Sequence, residues 1–172
     1  LRDSGEAVYV AYLDEDADEV QYAIQLVKLR RPKGFLFLGG DLECFRREFQ
    51  QITAPCVLLT NDAQSLGFKN LSSFSTDDTA AAGAVIEYLY RHGHRKIGIL
   101  GGNLASEQIS FKRLQGVQRR MKELGLPFDF KTHYVPCRFS MKDGYDAART
   151  LLAREPGLTA IFALSDVIAL GA

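Results

Sequence analysis

Short apolar runs alternate with helical segments along most of the chain, and this alternation most constrains the fold. Several runs, such as FLFL, VLL, IGIL and AIFAL, are apolar at consecutive positions, which is typical of parallel strands covered by helices on both faces. Strands and helices that alternate at this spacing favour right-handed crossovers. The sequence therefore predicts an α/β fold of doubly wound parallel sheets.

The same periodicity predicts the individual elements. Strands are expected at 7–13, 34–38, 56–60, 71–75, 97–100, 132–135 and 160–164. Helices are expected at 16–29, 42–51, 79–92, 110–124 and 142–154. Residues suited to helix ends lie beside these segments, with Asp14, Asp16, Asp41, Asp77 and Asp78 at beginnings and Gly93 and Gly125 at ends.

One connection breaks the alternation. Residues 60–75 join two predicted strands through a turn-rich stretch that leaves no room for a crossover helix. We interpret it as a passage between two lobes, with a boundary near Ser75, so that 1–75 and 76–172 are separate lobes. The chain opens on LRDSG without Met and stops at DVIALGA. These ends predict that both lobes are incomplete and that the chain is part of a longer protein.

The composition of the chain limits the classes of function that it can have. Lys plus Arg and Asp plus Glu each number 21, whereas a module that grips nucleic acid through its phosphates has a basic excess. Any DNA binding is therefore expected to lie in another segment. The sequence shows no apolar run long enough for a membrane span and no secretory signal. Its three widely spaced cysteines indicate free thiols, which favours a cytoplasmic location without membrane contact.

Candidate binding residues follow predicted strands, because ligands of open α/β sheets bind at the carboxyl ends of the strands. Arg113 lies on the helix after Gly101–Gly102 and is either a ligand-binding guanidinium or a solvent-facing side chain. The pair Ser165–Asp166 either binds a ligand or caps the next helix. Phe139 either stacks on an apolar ligand face or anchors the core.

The sequence gives little indication of catalysis or of a metal or cofactor site. The His92 and His94 pair has no Asp, Glu or Cys at ligand spacing and is typical of cations at a helix carboxyl end. The glycine pairs form neither a GxGxxG fingerprint nor a phosphate-binding loop. The sequence offers no nucleophile elbow, Cys–His pairing or carboxylate pair. We therefore expect no enzyme activity, metal or cofactor.

Several motifs in order carry a family resemblance. Asp77–Asp78 precede a helix that ends in GHRKIGILGG, and RLQG, FSMKDGYDAARTLL and TAIFALSDVIALGA follow. This order resembles the effector-binding core of LacI/GalR-family transcriptional repressors over almost the whole chain. The resemblance implies a two-lobed, periplasmic-binding-protein-like fold of type I. It also implies a small effector, usually a sugar or nucleobase, held between the lobes.

The family's effector contacts map onto this chain residue by residue. The resemblance implies roles for Arg113, Phe139, Ser165, Asp166, Thr60, Asn61 and Asp77, with Glu107 in a loop where relatives often carry a small hydroxyl or a basic residue. A carboxylate at Glu107 is expected to disfavour phosphorylated effectors. Arg113→Ala is expected to weaken effector binding by about 1.5–3 kcal/mol and to leave the fold intact.

The resemblance predicts the effector-sensing part of a repressor that works as a homodimer on operator DNA. The DNA-binding headpiece of such a repressor is absent from this chain. Two alternatives remain: a sugar-binding protein of an ABC transporter, which uses the same fold, and an enzyme with a Rossmann-like sheet. A signal peptide would favour the transport protein, and a nucleotide fingerprint would favour the enzyme.

Overall fold

Two parallel sheets follow one another along the chain. The computed structural model describes residues 5–14, 16–102 and 109–172. The strands of these ranges are β1 (Phe35–Phe37), β2 (Cys56–Leu59), β3 (Leu71–Phe74), β4 (Ile97–Leu100), β5 (Tyr134–Val135) and β6 (Ala160–Ala163). The helices of these ranges are α1 (Glu19–Arg30), α2 (Leu42–Glu48), α3 (Asp78–Arg91), α4 (Ile109–Glu123), α5 (Phe130–His133), α6 (Met141–Arg154) and α7 (Asp166–Gly171), with short 3-10 helices at Phe49–Gln51 and Gln64–Leu66.

The first sheet has the order β1-β2-β3, and all its pairings are parallel. Its core lies on the face covered by α1 and α2, where Val20, Phe45 and Leu58 are fully buried. Leu36 and Phe74 are exposed. Over the described residues, the FLFL run is therefore packed on one side only, although its composition predicts cover on both.

The second sheet has the order β5-β4-β6 and is covered on both faces. Ile97 and Ile99 of the central strand β4 belong to the same core cluster as residues of α3 and α4. Leu100 belongs to the opposite cluster with residues of α6 and α7. Successive side chains of a strand point to opposite faces, so the apolar IGIL run is buried throughout. This sheet confirms the predicted doubly wound, parallel architecture.

Of the predicted strands, the one at 7–13 is wrong and the one at 132–135 is too long. Residues 7–13 form no strand, and the side chains of Val8 and Tyr12 are exposed. Among the described residues this segment has no neighbouring strand, and β-prone side chains alone do not satisfy the backbone of a strand. The predicted strand 132–135 shortens to β5, because the Asp129 carboxylate accepts hydrogen bonds from the backbone N–H groups of Lys131 and Thr132 and begins α5 there.

The predicted helix ends are largely confirmed. Asp41 and Asp77 cap α2 and α3 through side-chain hydrogen bonds. Gly93 and Gly125 follow α3 and α4 with φ values of +90° and +66°, a conformation that glycine adopts without strain. The start of α1 differs from expectation: Asp18, rather than Asp14 or Asp16, accepts hydrogen bonds from the first turn.

The turn-rich connection does not leave the first sheet. It joins β2 to β3, which are neighbours in that sheet, and it contains only the 3-10 helix Gln64–Leu66. The chain passes to the second sheet after Phe74, through the residues that precede α3. A lobe boundary near Ser75 stays a prediction, although the turn-rich connection before it does not mark a passage between lobes. Among the described residues, every helix is too short or too polar to cross a membrane.

Candidate functional site

The carboxyl ends of β4, β5 and β6 meet at one edge of the second sheet, because the strands are parallel. Tyr134 fixes this edge: its hydroxyl donates toward the carbonyl oxygens of Gly101, at 2.6 Å, and Gly102, at 3.1 Å. Burial raises the pKa of Tyr134 to about 12. The hydroxyl therefore stays protonated and keeps the backbone after β4 in place.

Arg113 lies at this edge and is held by two partners. Its Nε donates to Oδ1 of Asp78 at 2.7 Å, and its Nη1 donates to the carbonyl oxygen of Leu164 at 2.5 Å. The Arg113 side chain is 33% exposed and that of Asp78 only 5% exposed. A guanidinium carries five N–H donors, so Arg113 keeps donor capacity for a ligand while it joins α4 to α3 and to the end of β6.

Ser165 and Asp166 follow β6 directly after Leu164. Ser165 occupies the cap position of α7 with an extended backbone, but its side chain makes no capping hydrogen bond. Asp166 is the first residue of α7 and is exposed. Neither Ser165 nor Asp166 therefore caps α7 with its side chain. The carboxylate of Asp166 is exposed at the edge that also carries Arg113.

Phe139 belongs to the loop after β5 and is not a core anchor. Its side chain is 41% exposed. Its ring atom Cζ lies 3.5 Å from the point that a Cβ on Gly102 would occupy. The loops after β4 and β5 thus meet at Phe139, and a partly exposed aromatic face lies at the same edge as Arg113.

The first sheet contributes Thr60 and Asn61 after β2. Thr60 is exposed and adopts a φ of +78°, which is uncommon for a β-branched residue. Asn61 is 1% exposed, and its Oδ1 accepts a 2.9 Å hydrogen bond from Nζ of Lys112 on α4. The structure therefore brings Asn61 to the helix that carries Arg113.

Two residues beside the predicted ones also matter here. Asp77 uses its Oδ1 to cap α3 at Ala80, and the adjacent Asp78 makes the ion pair with Arg113. Lys112, next to Arg113, reaches the first sheet. The only sequence signal for Asp78 and Lys112 is that they lie next to Asp77 and Arg113. Each of the two pairs with a residue more than 30 positions away. Glu107 lies outside the described residues.

A cleft of about 490 Å³ lies near this edge, lined by Asp14, Asp16, Ala17 and Arg138. Arg138 forms an exposed ion pair with Asp16 across the cleft. Arg113 does not line this cleft. We place the candidate site at Arg113 because a partly buried guanidinium with fixed partners offers directional donors, whereas the ion pair at the cleft is exposed.

One group of side chains has the spacing of metal ligands. Ligand atoms of Asp18, Glu19 and Cys44 lie within 4.8 Å of one another. Asp18 caps α1 and pairs with Arg47, and Glu19 accepts a hydrogen bond from the backbone of Asp41. Burial raises the pKa of the Cys44 thiol to about 11, which disfavours the thiolate that a metal needs. The carboxylates have structural roles, and this cluster gives no support for a metal.

Comparison with known proteins identifies the family. The whole chain, residues 1–172, matches the family model described as periplasmic binding proteins and sugar binding domain of LacI family. The chain belongs to this family. It spans about half the length of the curated relatives that it matches.

LacI-family regulators are among the similar proteins. The chain is 30% identical to the HTH-type transcriptional regulator MalR of Clostridium butyricum over 90% of this chain and 46% of that protein. It is 29% identical to the ribose operon repressor of Haemophilus influenzae over 95% of this chain and 48% of that protein. The crystal structure of the transcription regulator CcpA of Lactococcus lactis superposes with a TM-score of 0.75 at 25% identity, over 94% of this chain and 57% of that one. The fold predicted from the sequence is thereby confirmed.

Proposed function

We propose that the chain is the effector-sensing part of a LacI-type transcriptional repressor, with residues 1–75 and 76–172 as its two lobes. The observation that carries this proposal is the placement of Arg113. Its guanidinium is held by Asp78 and by the carbonyl oxygen of Leu164, on a helix that also contacts the first sheet. We place the effector between Arg113 of the second lobe and Thr60 and Asn61 of the first, so that its binding is coupled to the relative position of the lobes.

The proposed effector is a neutral sugar. Arg113 supplies directional donors, Asp166 and Ser165 supply acceptors for hydroxyl groups, and Phe139 supplies an apolar face for the C–H side of a ring. This combination of a few polar groups with an aromatic ring is typical of small-molecule sites. The family model includes sugar-binding domains, and one relative is named a ribose operon repressor.

The remaining parts of the proposal concern the intact protein. We propose that it acts as a homodimer in the cytoplasm, binds operator DNA through a headpiece outside this chain, and has no enzyme activity. The names of similar proteins, which include an HTH-type transcriptional regulator and an operon repressor, support the regulatory role. The same names disfavour the alternative of a sugar-binding protein of an ABC transporter.

Calorimetric titration of the intact protein with ribose, maltose and ribose 5-phosphate tests the effector class. We expect saturable binding of at least one neutral sugar, and weaker binding of ribose 5-phosphate than of ribose because the family resemblance implies a carboxylate at the site from Glu107. Tighter binding of the phosphate ester than of its parent sugar would contradict the neutral-sugar proposal. Activity of the same protein on any of the three sugars would contradict the absence of catalysis.

A further inference from the structure

A hydrogen bond between Lys112 and Asn61 joins the two sheets. Lys112 belongs to the first turn of α4, and Asn61 follows β2 of the first sheet. Nζ of Lys112 lies 2.9 Å from Oδ1 of Asn61, and the two residues are 51 positions apart. Lys112 therefore connects the carboxyl end of β2 in the first sheet with α4, a helix that packs on the second sheet.

The first-sheet end of this contact is firmly held. Asn61 Oδ1 also accepts a 3.0 Å hydrogen bond from the backbone N–H of Asp62, and its Nδ2 lies 3.4 Å from the carbonyl oxygen of Gly40. These contacts orient the amide with its oxygen toward Lys112. Asn61 is buried, so the oxygen that accepts from Lys112 lies in a shielded site, where a hydrogen bond to a charged donor is stronger than at an exposed one.

The second-sheet end is also held. The carbonyl oxygen of Lys112 accepts a 3.3 Å hydrogen bond from the hydroxyl of Thr79 on α3. The next residue, Arg113, pairs with Asp78 at the start of the same helix. The Lys112 backbone is thus fixed to α3, and the flexible part of the connection is the lysine side chain alone.

We propose that Lys112 is an interlobe latch, a positioning residue whose hydrogen bond to Asn61 keeps the two lobes close together before an effector binds. Among the described residues, another contact between 1–75 and 76–172, Arg138 with Asp16, is exposed on both sides and contributes little. A hydrogen bond from a charged donor to a buried acceptor is strong enough to shift a two-state equilibrium about tenfold or more. Lys112 therefore sets the fraction of effector-free molecules whose lobes already have the arrangement that binds ligand.

Small-angle X-ray scattering of the intact, effector-free protein tests the latch. Lys112→Met removes the donor and keeps most of the aliphatic stem. Lys122→Met is the matched control, because Lys122 is an exposed lysine in the last turn of the same helix. Lys112→Arg keeps a cationic donor. We expect a larger radius of gyration for Lys112→Met, with both Lys122→Met and Lys112→Arg close to the wild type.

The outcomes separate the latch from a general effect on folding. Circular dichroism checks that Lys112→Met keeps the wild-type helix content. Scattering curves of wild type and Lys112→Met that superpose would overturn the proposal, and so would an equal expansion in Lys122→Met. The latch depends on the two-lobed arrangement proposed above, but its test adds no sugar. Failure of the latch and failure of the sugar proposal are therefore distinguishable.

Discussion

Arg113→Ala is expected to lower the free energy of unfolding by about 2–3 kcal/mol, because it leaves the Asp78 carboxylate buried without its partner. The loss of one member of a fully buried pair costs about 3–5 kcal/mol, and the partial exposure of Arg113 reduces this figure. The Leu164 carbonyl also loses a donor. Urea unfolding followed by circular dichroism measures the change.

Two further variants serve as controls for Arg113→Ala. Arg119→Ala removes an exposed arginine from the same helix, where it pairs with Glu123, and is expected to cost less than about 0.5 kcal/mol. Asp78→Asn in the Arg113→Ala background removes the uncompensated charge and is expected to recover part of the loss. An Arg113→Ala protein as stable as Arg119→Ala would contradict a structural role for the Arg113–Asp78 pair.

The same substitution is expected to weaken sugar binding by about 1.5–3 kcal/mol, the range for a hydrogen bond to a charged group. The sequence predicts either a ligand-binding or a solvent-facing side chain at Arg113, and an intact fold in Arg113→Ala. The ion pair with Asp78 revises the expectation of an intact fold, because the side chain proposed to bind the sugar also stabilises the fold. Affinity must therefore be compared under conditions where the variant is fully folded.

Gly116→Ala is expected to destabilise the protein by about 2–3 kcal/mol, at the upper end of overpacking effects. A Cβ on Gly116 would lie 2.1 Å from the backbone carbonyl oxygen of Thr79. Backbone cannot rotate aside as a flexible side chain does, so α4 must move away from α3. Because Lys112 and Arg113 lie on α4, we expect sugar affinity to fall as well. Thermal and urea unfolding, with calorimetric titration, measure both effects.

Gly83→Ala is the matched control on the facing helix. Its Cβ would lie 3.6 Å from the carbonyl oxygen of Gly116 and 3.7 Å from Cβ of Arg120, which are ordinary contacts. Alanine is favoured over glycine within a helix by about 0.5–1 kcal/mol, so Gly83→Ala is expected to be neutral or stabilising. Equal effects of the two substitutions would show that the close approach at Gly116 does not hold α3 against α4.

Much of the fold could be predicted from the sequence because buried strands and helices appear in it as apolar runs and periodic apolar patterns. The IGIL run predicts β4 because the central strand is covered on both faces. The segment 7–13 carries the same kind of signal but forms no strand, since pairing depends on a neighbour that local composition does not specify. The apolar pattern at 132–135 does not predict α5, because the capping Asp129 outweighs it.

The candidate site could be predicted in part. Arg113, Phe139 and Asp166 follow strand ends, and this topological rule needs only the order of the elements. The partners Asp78 and Lys112 could not be predicted in these roles, because their contacts depend on how α3, α4 and the two sheets are placed in space. Gly116 belongs to the RLQG motif. The structure gives the physical reason for glycine there, which is the close approach of the Thr79 backbone.

Titration of the Phe139→Ala protein with the sugar that the wild type binds tests the proposed site most directly. Phe139 is partly exposed, so its loss affects folding less than that of Arg113. The control is Tyr145→Ala, which removes an exposed aromatic side chain from α6. We predict roughly tenfold weaker binding for Phe139→Ala, the effect of losing about 1.4 kcal/mol, and wild-type binding for Tyr145→Ala. Unchanged affinity in Phe139→Ala would contradict a sugar site at the carboxyl edge of the second sheet.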